Sequence, residues 1–307
     1  MEKELNGVHG VTMKGSDMQK GAVSAFKELM EHKLASKPHI ADSLVPTFPV
    51  ACRRLTPGPG YLEALVEPNV DFLNSGIKRI TATGIESNDG THREYDEIIC
   101  ATGFDTTYRP RIPIIGRGGL NVQEAWKELP THYMTMAIGP EFPNYFMING
   151  PNSSLGSGSL LVMFEREVDY IVEAIAKMQR EGIKAMSVKK EARDDFMEYT
   201  TEYFKKTVYS EKCRSWYKAG KEEGPIVALW PGSCLHAIKV LKHPRWEDFD
   251  YVQTTQKNRL AWLGSGWTEV EMEEDTPERN TAPYLDEIDV PPVPKGVAAF
   301  SATQVIG

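Results

Sequence analysis

An α/β fold is predicted for this 307-residue chain by three observations. Apolar residues recur at helical spacing near the start and again past the middle. Between those stretches, two extended segments flank a turn of the hairpin type. One of these segments is apolar without interruption and ends at a glycine, as a strand buried on both faces of a sheet does.

Residues 22–36 predict the first helix, with Val23, Phe26, Met30 and Leu34 on one face. Lys37-Pro38 ends it, because a proline disfavours helical geometry in the residue before it. Five prolines and two glycines between Pro46 and Pro68 predict a mostly irregular segment. Three strands are expected at 70–73, 77–86 and 95–102. Asn88-Asp89-Gly90 joins the last two as a hairpin turn, since Asp-Gly accepts the positive φ angles such a turn requires. The Pro- and Gly-rich middle, 108–151, reads as irregular apart from a short strand at 145–148. A Ser/Gly loop at 152–159 then opens a long helix to about Arg180, with Phe164, Val168, Ile171, Ile175 and Met178 facing the core. Residues 192–208 predict another helix, packing through Phe196, Tyr199 and Tyr203. Beyond Ser210 no periodicity is legible.

Composition narrows the function. The chain is 41% hydrophobic and 25% charged, within the range of globular proteins, and its net charge of −8 includes no basic stripe, so a nucleic-acid partner is excluded. No run reaches the roughly 18 apolar residues of a membrane span, and Met1-Glu2-Lys3-Glu4-Leu5 carries charge where a secretory signal has an apolar core. Cys52, Cys100, Cys213 and Cys234 lack CxxC spacing, which argues against a zinc module and a disulfide framework; a reducing, cytoplasmic setting is expected. The histidines offer no metal-binding pattern, and no GxSxG elbow occurs. Nine acidic residues face only Arg279 between Thr268 and Val290, as in a solvated tail.

The segment 95–103 calls for a dinucleotide fold, yet the phosphate loop is missing. GxGxxG needs three glycines, for the turn, the approach of pyrophosphate and the helix–sheet contact. Gly116-Arg117-Gly118 is followed by Asn121 where the third belongs, Gly156-Ser157-Gly158 by Leu161, and Gly264-Ser265-Gly266 by Glu269.

Asp96-Glu97-Ile98-Ile99-Cys100-Ala101-Thr102-Gly103-Phe104-Asp105 resembles the second fingerprint of flavin-containing and Baeyer–Villiger monooxygenases. Cys52-Arg53-Arg54-Leu55 with Gly60-Tyr61 resembles their basic-pair segment, and Gly150-Pro151-Asn152-Ser153-Ser154 and Ser215-Trp216-Tyr217 resemble two further segments in the same order. The stretch from Leu55 to Leu62, with Leu229-Trp230-Pro231-Gly232-Ser233, is similar to fungal enzymes of polyketide and mycotoxin pathways. The family's two GxGxxG loops and its FxGxxxHxxxW fingerprint are absent; His243-Pro244-Arg245-Trp246 is only an HxxW. The resemblance is therefore to the C-terminal half of a Baeyer–Villiger-type enzyme. It implies an incomplete FAD/NAD(P)-binding, glutathione-reductase-like fold that lacks its N-terminal βαβ units. Residues 1–107 would be the remnant of the NADP/FAD domain junction, 108–267 the C-terminal part of the FAD domain, and 268–307 an acidic, Pro-rich tail.

The resemblance implies FAD and NADPH as cofactors and a ketone or polyketide-like substrate. Arg54 takes the place of the catalytic arginine, a fixed positive charge for the negative charge that develops during oxygen insertion. Arg53 takes that of the residue contacting the NADP 2′-phosphate; in an arbitrary protein such a pair is a surface ion-pair partner. Thr102, Gly103, Phe104 and Asp105 would lie near the flavin, where a residue without a side chain permits close approach. Asn152 and Ser153 would contact the flavin ahead of a helix N-terminus, where the plain alternative is capping. Trp216 aligns with a tryptophan that closes over nicotinamide or substrate. With both phosphate loops gone, the chain alone is expected to bind neither cofactor. An N-terminal half on another polypeptide, or a full-length relative, is the implied partner. The alternatives are a descendant that binds, cyclises or isomerises a polyketide-like ligand without cofactor, and a non-catalytic accessory remnant.

Overall fold

The structure, a computed structural model, describes residues 2–55, 58–255, 258–273, 276, 279–282 and 284. The chain divides into two compact units, Met1–Thr254 and Thr255–Gly307. The larger carries helices α1 (Asp17–Lys33), α2 (Leu160–Arg180), α3 (Lys190–Lys205) and α4 (Cys234–Leu241). It also carries strands β1 (Ile77–Ile80), β2 (Gly84–Ser87), β3 (His92–Glu94), β4 (Ile183–Val188) and β5 (Phe249–Gln253). β1-β2-β3 form one antiparallel sheet and β4-β5 another. In the second unit Thr268 caps the turn Glu269–Met272 through a reciprocal capping box with Glu271. Much of the acidic tail, including 285–307, lies outside the described residues.

The main core lies where α2 and α4 pack with β4, around Met163, Tyr170, Ala174, Met186, Phe196 and Trp230. α2 has the predicted bounds but turns a different line inward. Met163, Glu167, Tyr170 and Ala174 are buried, whereas Val168 and Ile175 of the predicted face are 41% and 48% exposed. A carboxylate within the buried line concealed that line from a search for apolar periodicity. α1 begins earlier than expected because the Ser16 hydroxyl accepts from the Gln19 amide. Pro38 ends nothing by itself; it opens the short helix Pro38–Leu44 at its first turn. α3 buries Phe196, Thr200 and Phe204, leaving Tyr199 on the surface. α4, which lacked a legible signal, starts at Ser233, whose hydroxyl accepts from the His236 amide.

The strand expectations are corrected most. Residues 70–73 are irregular, and the Val70 carbonyl accepts from Lys37 Nζ instead of a neighbouring strand. The stretch 77–86 is two strands, folded back where the Thr81 amide donates to the Gly84 carbonyl. A Cβ at Gly84 would overlap the Arg93 carbonyl across the β2–β3 pair, so the close strand approach requires glycine there. The Asn88-Asp89-Gly90 turn forms as expected, with Gly90 at φ 85°, but it joins β2 to β3. Residues 95–102 form no strand, and Ile99 is 90% exposed. A continuously apolar strand needs sheet neighbours on both sides, and the described chain offers it none. Residues 145–148 keep a single bridge, Phe146 to Ala137.

Cys52 and Cys213 form a disulfide across 161 residues of sequence, against the expectation from spacing. Their proximity comes from the fold, which lays the Pro-rich segment before Leu55 beside the loop after α3. Neither Cys100 nor Cys234 takes part in a disulfide.

Met163 has no exposed surface while Leu161 is 71% exposed. Urea denaturation should therefore show Met163→Ala losing about 2–5 kcal/mol and Leu161→Ala less than about 0.5 kcal/mol.

Candidate functional site

Arg53 and Arg54 open onto a cleft of about 470 Å³ lined also by Phe26, Met30, Phe48 and Tyr61. The Arg53 guanidinium lies 4.7 Å from the centre of the Phe48 ring, a cation–π contact. Arg54 is exposed and makes no hydrogen bond or ion pair among the described residues. A guanidinium stays protonated in any such setting, so Arg54 is a cation free to meet an anion.

The disulfide brings this segment to the loop holding Ser215, Trp216 and Tyr217, with Cα atoms of the two cysteines 6.6 Å apart. Ser215 Oγ accepts from the Tyr217 amide, and the Trp216 and Tyr217 rings lie 4.7 Å apart. Burial pushes the Tyr217 hydroxyl up to about 12, with the charge of Arg54 acting in the opposite sense. The loop is pinned below by Lys218, 2% exposed, whose Nζ donates to the carbonyls of Glu211 at 2.6 Å and Glu222 at 2.8 Å. Burial lowers the pKa of Lys218.

The segment from Gly150 to Ser154 is held from inside. Asn149 and Asn152 both adopt φ near +58°, a conformation asparagine tolerates better than most residues. Asn152 Nδ2 donates to the carbonyls of Ile226 and Leu229, both at 2.7 Å, and its Oδ1 lies 2.9 Å from His132 Nε2. Ser153 Oγ donates to the Gly150 carbonyl at 2.7 Å. Both side chains are buried and committed to the loop itself, and the amides of Asn152, Ser153 and Ser154 donate to the carbonyls of Val227, Gly150 and Ala228. Glu167 of α2 fixes the entry: its carboxylate accepts from the Thr135 hydroxyl and from the Asn149 amide, each at 2.8 Å. Burial raises the pKa of Glu167 despite both bonds and pushes His132 down to about 4. Neither residue was singled out from sequence; the one available signal was a carboxylate three and four residues from the apolar Tyr170 and Met163.

Thr102, Gly103, Phe104 and Asp105 form an exposed corner, with Gly103 at φ 86° and Phe104 95% exposed. Hydrogen bonds from Thr107 lower the Asp105 carboxyl, helped by Arg111 and Arg109. The corner leads to Tyr108, whose hydroxyl burial pushes up to about 12 with the neighbouring Ser154 acting in the opposite sense. The predicted residues thus assemble as two pairs of segments, Arg53–Arg54 with Trp216 and 102–108 with 150–154. No hydrogen bond or ion pair joins Arg53 or Arg54 to residues 102–105 among the described residues. No cluster of three metal-ligating side chains occurs among the described residues, and none of their helices is long and apolar enough to cross a membrane.

The resemblance carried by these four segments holds over most of the chain, which is homologous to part of the Baeyer–Villiger-type flavin monooxygenases. It is 40% identical over 268 residues to the FAD-binding monooxygenase stcW of Emericella nidulans, matching 87% of this chain and 44% of that protein. Against the FAD-binding monooxygenase moxY of Dothistroma septosporum it is 36% identical over 292 residues, 95% of this chain and 46% of the other. A Baeyer–Villiger monooxygenase of Pseudomonas aeruginosa is 32% identical over 204 residues, 66% of this chain and 38% of its own. Cyclohexanone monooxygenase from Rhodococcus sp. Phi1, solved with NADP+, superposes with a TM-score of 0.70 at 28% identity, over 79% of this chain and 46% of that one. The chain spans less than half the length of the curated relatives it matches. No protein-family profile matches it. The fold is accordingly part of an FAD/NADP-binding fold, as expected.

His132 is buried neutral, so below its unfolded value of 6.5 the unfolded chain takes up a proton that the folded one refuses until about 4. Stability should fall through that window by about 1.4 kcal/mol per pH unit from this group. Comparing urea midpoints of wild type and His132→Gln across the window should show a shallower acid limb in the variant.

Proposed function

We propose that this chain supplies the C-terminal portion of an FAD- and NADPH-dependent Baeyer–Villiger-type monooxygenase, which inserts oxygen beside a ketone in secondary metabolism. The observation that carries the reading is Arg54: a guanidinium with no hydrogen bond or ion pair among the described residues, in a cleft, on a segment bonded to the Trp216 loop. An uncommitted arginine fits a role on a charge that only the reaction brings.

The chain's own residues fit parts of both cofactors. Arg53 is placed to take the 2′-phosphate of NADPH, and Trp216 to pack against its nicotinamide. Thr102 to Asp105 would border the flavin, with Asn152 and Ser153 shaping the neighbouring loop from inside through their own hydrogen bonds. When bound, NADPH supplies hydride and FAD activates dioxygen; Arg54 holds a positive charge where the oxygen-bearing centre and the ketone oxygen become negative. Arg54 is exposed in this cleft, so its charge would gain strength once a bound ligand displaces the water around it. The grip on the FAD pyrophosphate has to come from outside this chain, since no GxGxxG is present.

The exposed apolar surface supports a missing half as partner. Ile99, Phe104 and the outer face of α2, with Leu161 and Val172, leave large side chains in water, a pattern that marks an interaction surface. The isolated chain should purify without flavin absorbance and oxidise no NADPH; near-stoichiometric FAD would overturn this division of labour. Co-expressed with the N-terminal half of a full-length relative, it should form the ester or lactone from a ketone. In that assembly Arg54→Ala should lower product formation at least about 100-fold while NADPH still reduces the flavin. Undiminished oxygenation by Arg54→Ala would refute the role.

A further inference from the structure

We propose that the Cys52–Cys213 disulfide is a redox-dependent clasp that positions the Arg53–Arg54 segment against the Trp216 loop. The clasp stands on geometry alone; that Arg54 is the group whose position matters rests on the function proposed above.

The bond sits directly beside the arginine pair. Cys52 immediately precedes Arg53, and Cys213 lies three residues before Trp216, so one covalent link joins two segments 161 residues apart. Non-covalent ties at this end of the segment are sparse. Gln19 Nε2 donates to the Val50 carbonyl at 2.7 Å, and Arg53 stacks on Phe48 of its own segment. Arg54 adds no hydrogen bond or ion pair among the described residues. Ala51, next to Cys52, is held at φ 70°, a left-handed conformation that a residue with a Cβ adopts only when its surroundings enforce it. Opening the bond removes the covalent tie beside that residue. In the bonded arrangement Cys213 Sγ lies 3.4 Å from the Cys52 carbonyl and Cys52 Sγ 3.8 Å from the Glu211 carbonyl, acceptors that the thiols would meet on reduction. The reduced pair therefore keeps weak hydrogen-bond acceptors while the covalent tether is lost.

The exchange balances with a dithiol as reductant. One of its thiolates attacks a protein sulfur, and the other protein sulfur leaves and takes up a proton; the second dithiol sulfur then attacks the first, expelling the attacked protein sulfur, which takes up a proton in turn. Two electrons and two protons pass to Cys52 and Cys213, and the dithiol ends as a cyclic disulfide. Cys52 and Cys213 are 0% and 2% exposed, so attack requires local opening of the segment and reduction is slow in the native chain.

Limited trypsinolysis of the native chain, with and without dithiothreitol, reads the clasp directly because trypsin cuts after Arg53 and Arg54. Reduction should raise the rate of cleavage there about tenfold, as proteolysis follows the population of locally open chain. Cleavage after Lys78 and Arg79, in the separate hairpin, should stay unchanged. Cys52→Ser and Cys213→Ser should each behave as the reduced wild type, and reoxidation with glutathione disulfide should restore protection in wild type only. The proposal fails if alkylation after unreduced unfolding finds both cysteines as free thiols. It also fails if reduction speeds cleavage equally at both regions, or at neither. None of these readouts involves FAD, NADPH or turnover, so they are independent of the activity assigned to Arg54.

Discussion

The carboxylate of Glu167 is the hinge of this structure. It sits in the middle of the buried line of α2 and accepts from Thr135 on one side and from the Asn149 amide on the other. A carboxylate taken out of water is tolerated only with such partners, so its position dictates where the chain on either side must run. The left-handed Asn149, the Gly150 that a Cβ would drive into the Thr135 carbonyl, and the inward-turned Asn152 all follow from that anchorage. His132 completes the arrangement from the opposite side. Its ring is neutral because burial disfavours the charged form, which suits it to the amide oxygen of Asn152.

Against this satisfied interior stands a surface with unfinished chemistry. Asn152 and Ser153 spend their polar atoms inside the protein, whereas Arg54 makes no hydrogen bond or ion pair among the described residues. The contrast separates residues that shape a loop from a residue that can act on something bound beside it. It also explains why the two halves of the site are unequal. The segment 150–154 is held by short buried hydrogen bonds, whereas the arginine segment depends on the disulfide and a few peripheral contacts.

The apolar surplus obeys the same logic. Ile98 and Ile99 read as the core of a sheet, and Val168 and Ile175 as part of the inward face of α2, yet all four are exposed, whereas Ile171 and Met178 of that face do pack on the core. Hydrophobic patterning predicts a buried face without saying which neighbours cover it. The three expected strands failed for this reason or for its local counterpart. Residues 95–102 have no neighbours, and 70–73 give a carbonyl to Lys37. The stretch 77–86 folds on itself at Gly84, a close approach no alternation pattern contains.

The sequence by itself determined the α/β class, the bounds of α2, the Asn-Asp-Gly turn and the family, because helix periodicity, turn chemistry and ordered motifs are local properties of the chain. It did not determine which line of α2 faces inward, since burial of Glu167 depends on Thr135 and Asn149 arriving from elsewhere. Nor could it pair Cys52 with Cys213 or place Arg54 beside Tyr217. Those contacts join residues more than 150 positions apart, and only the packed chain brings them within reach.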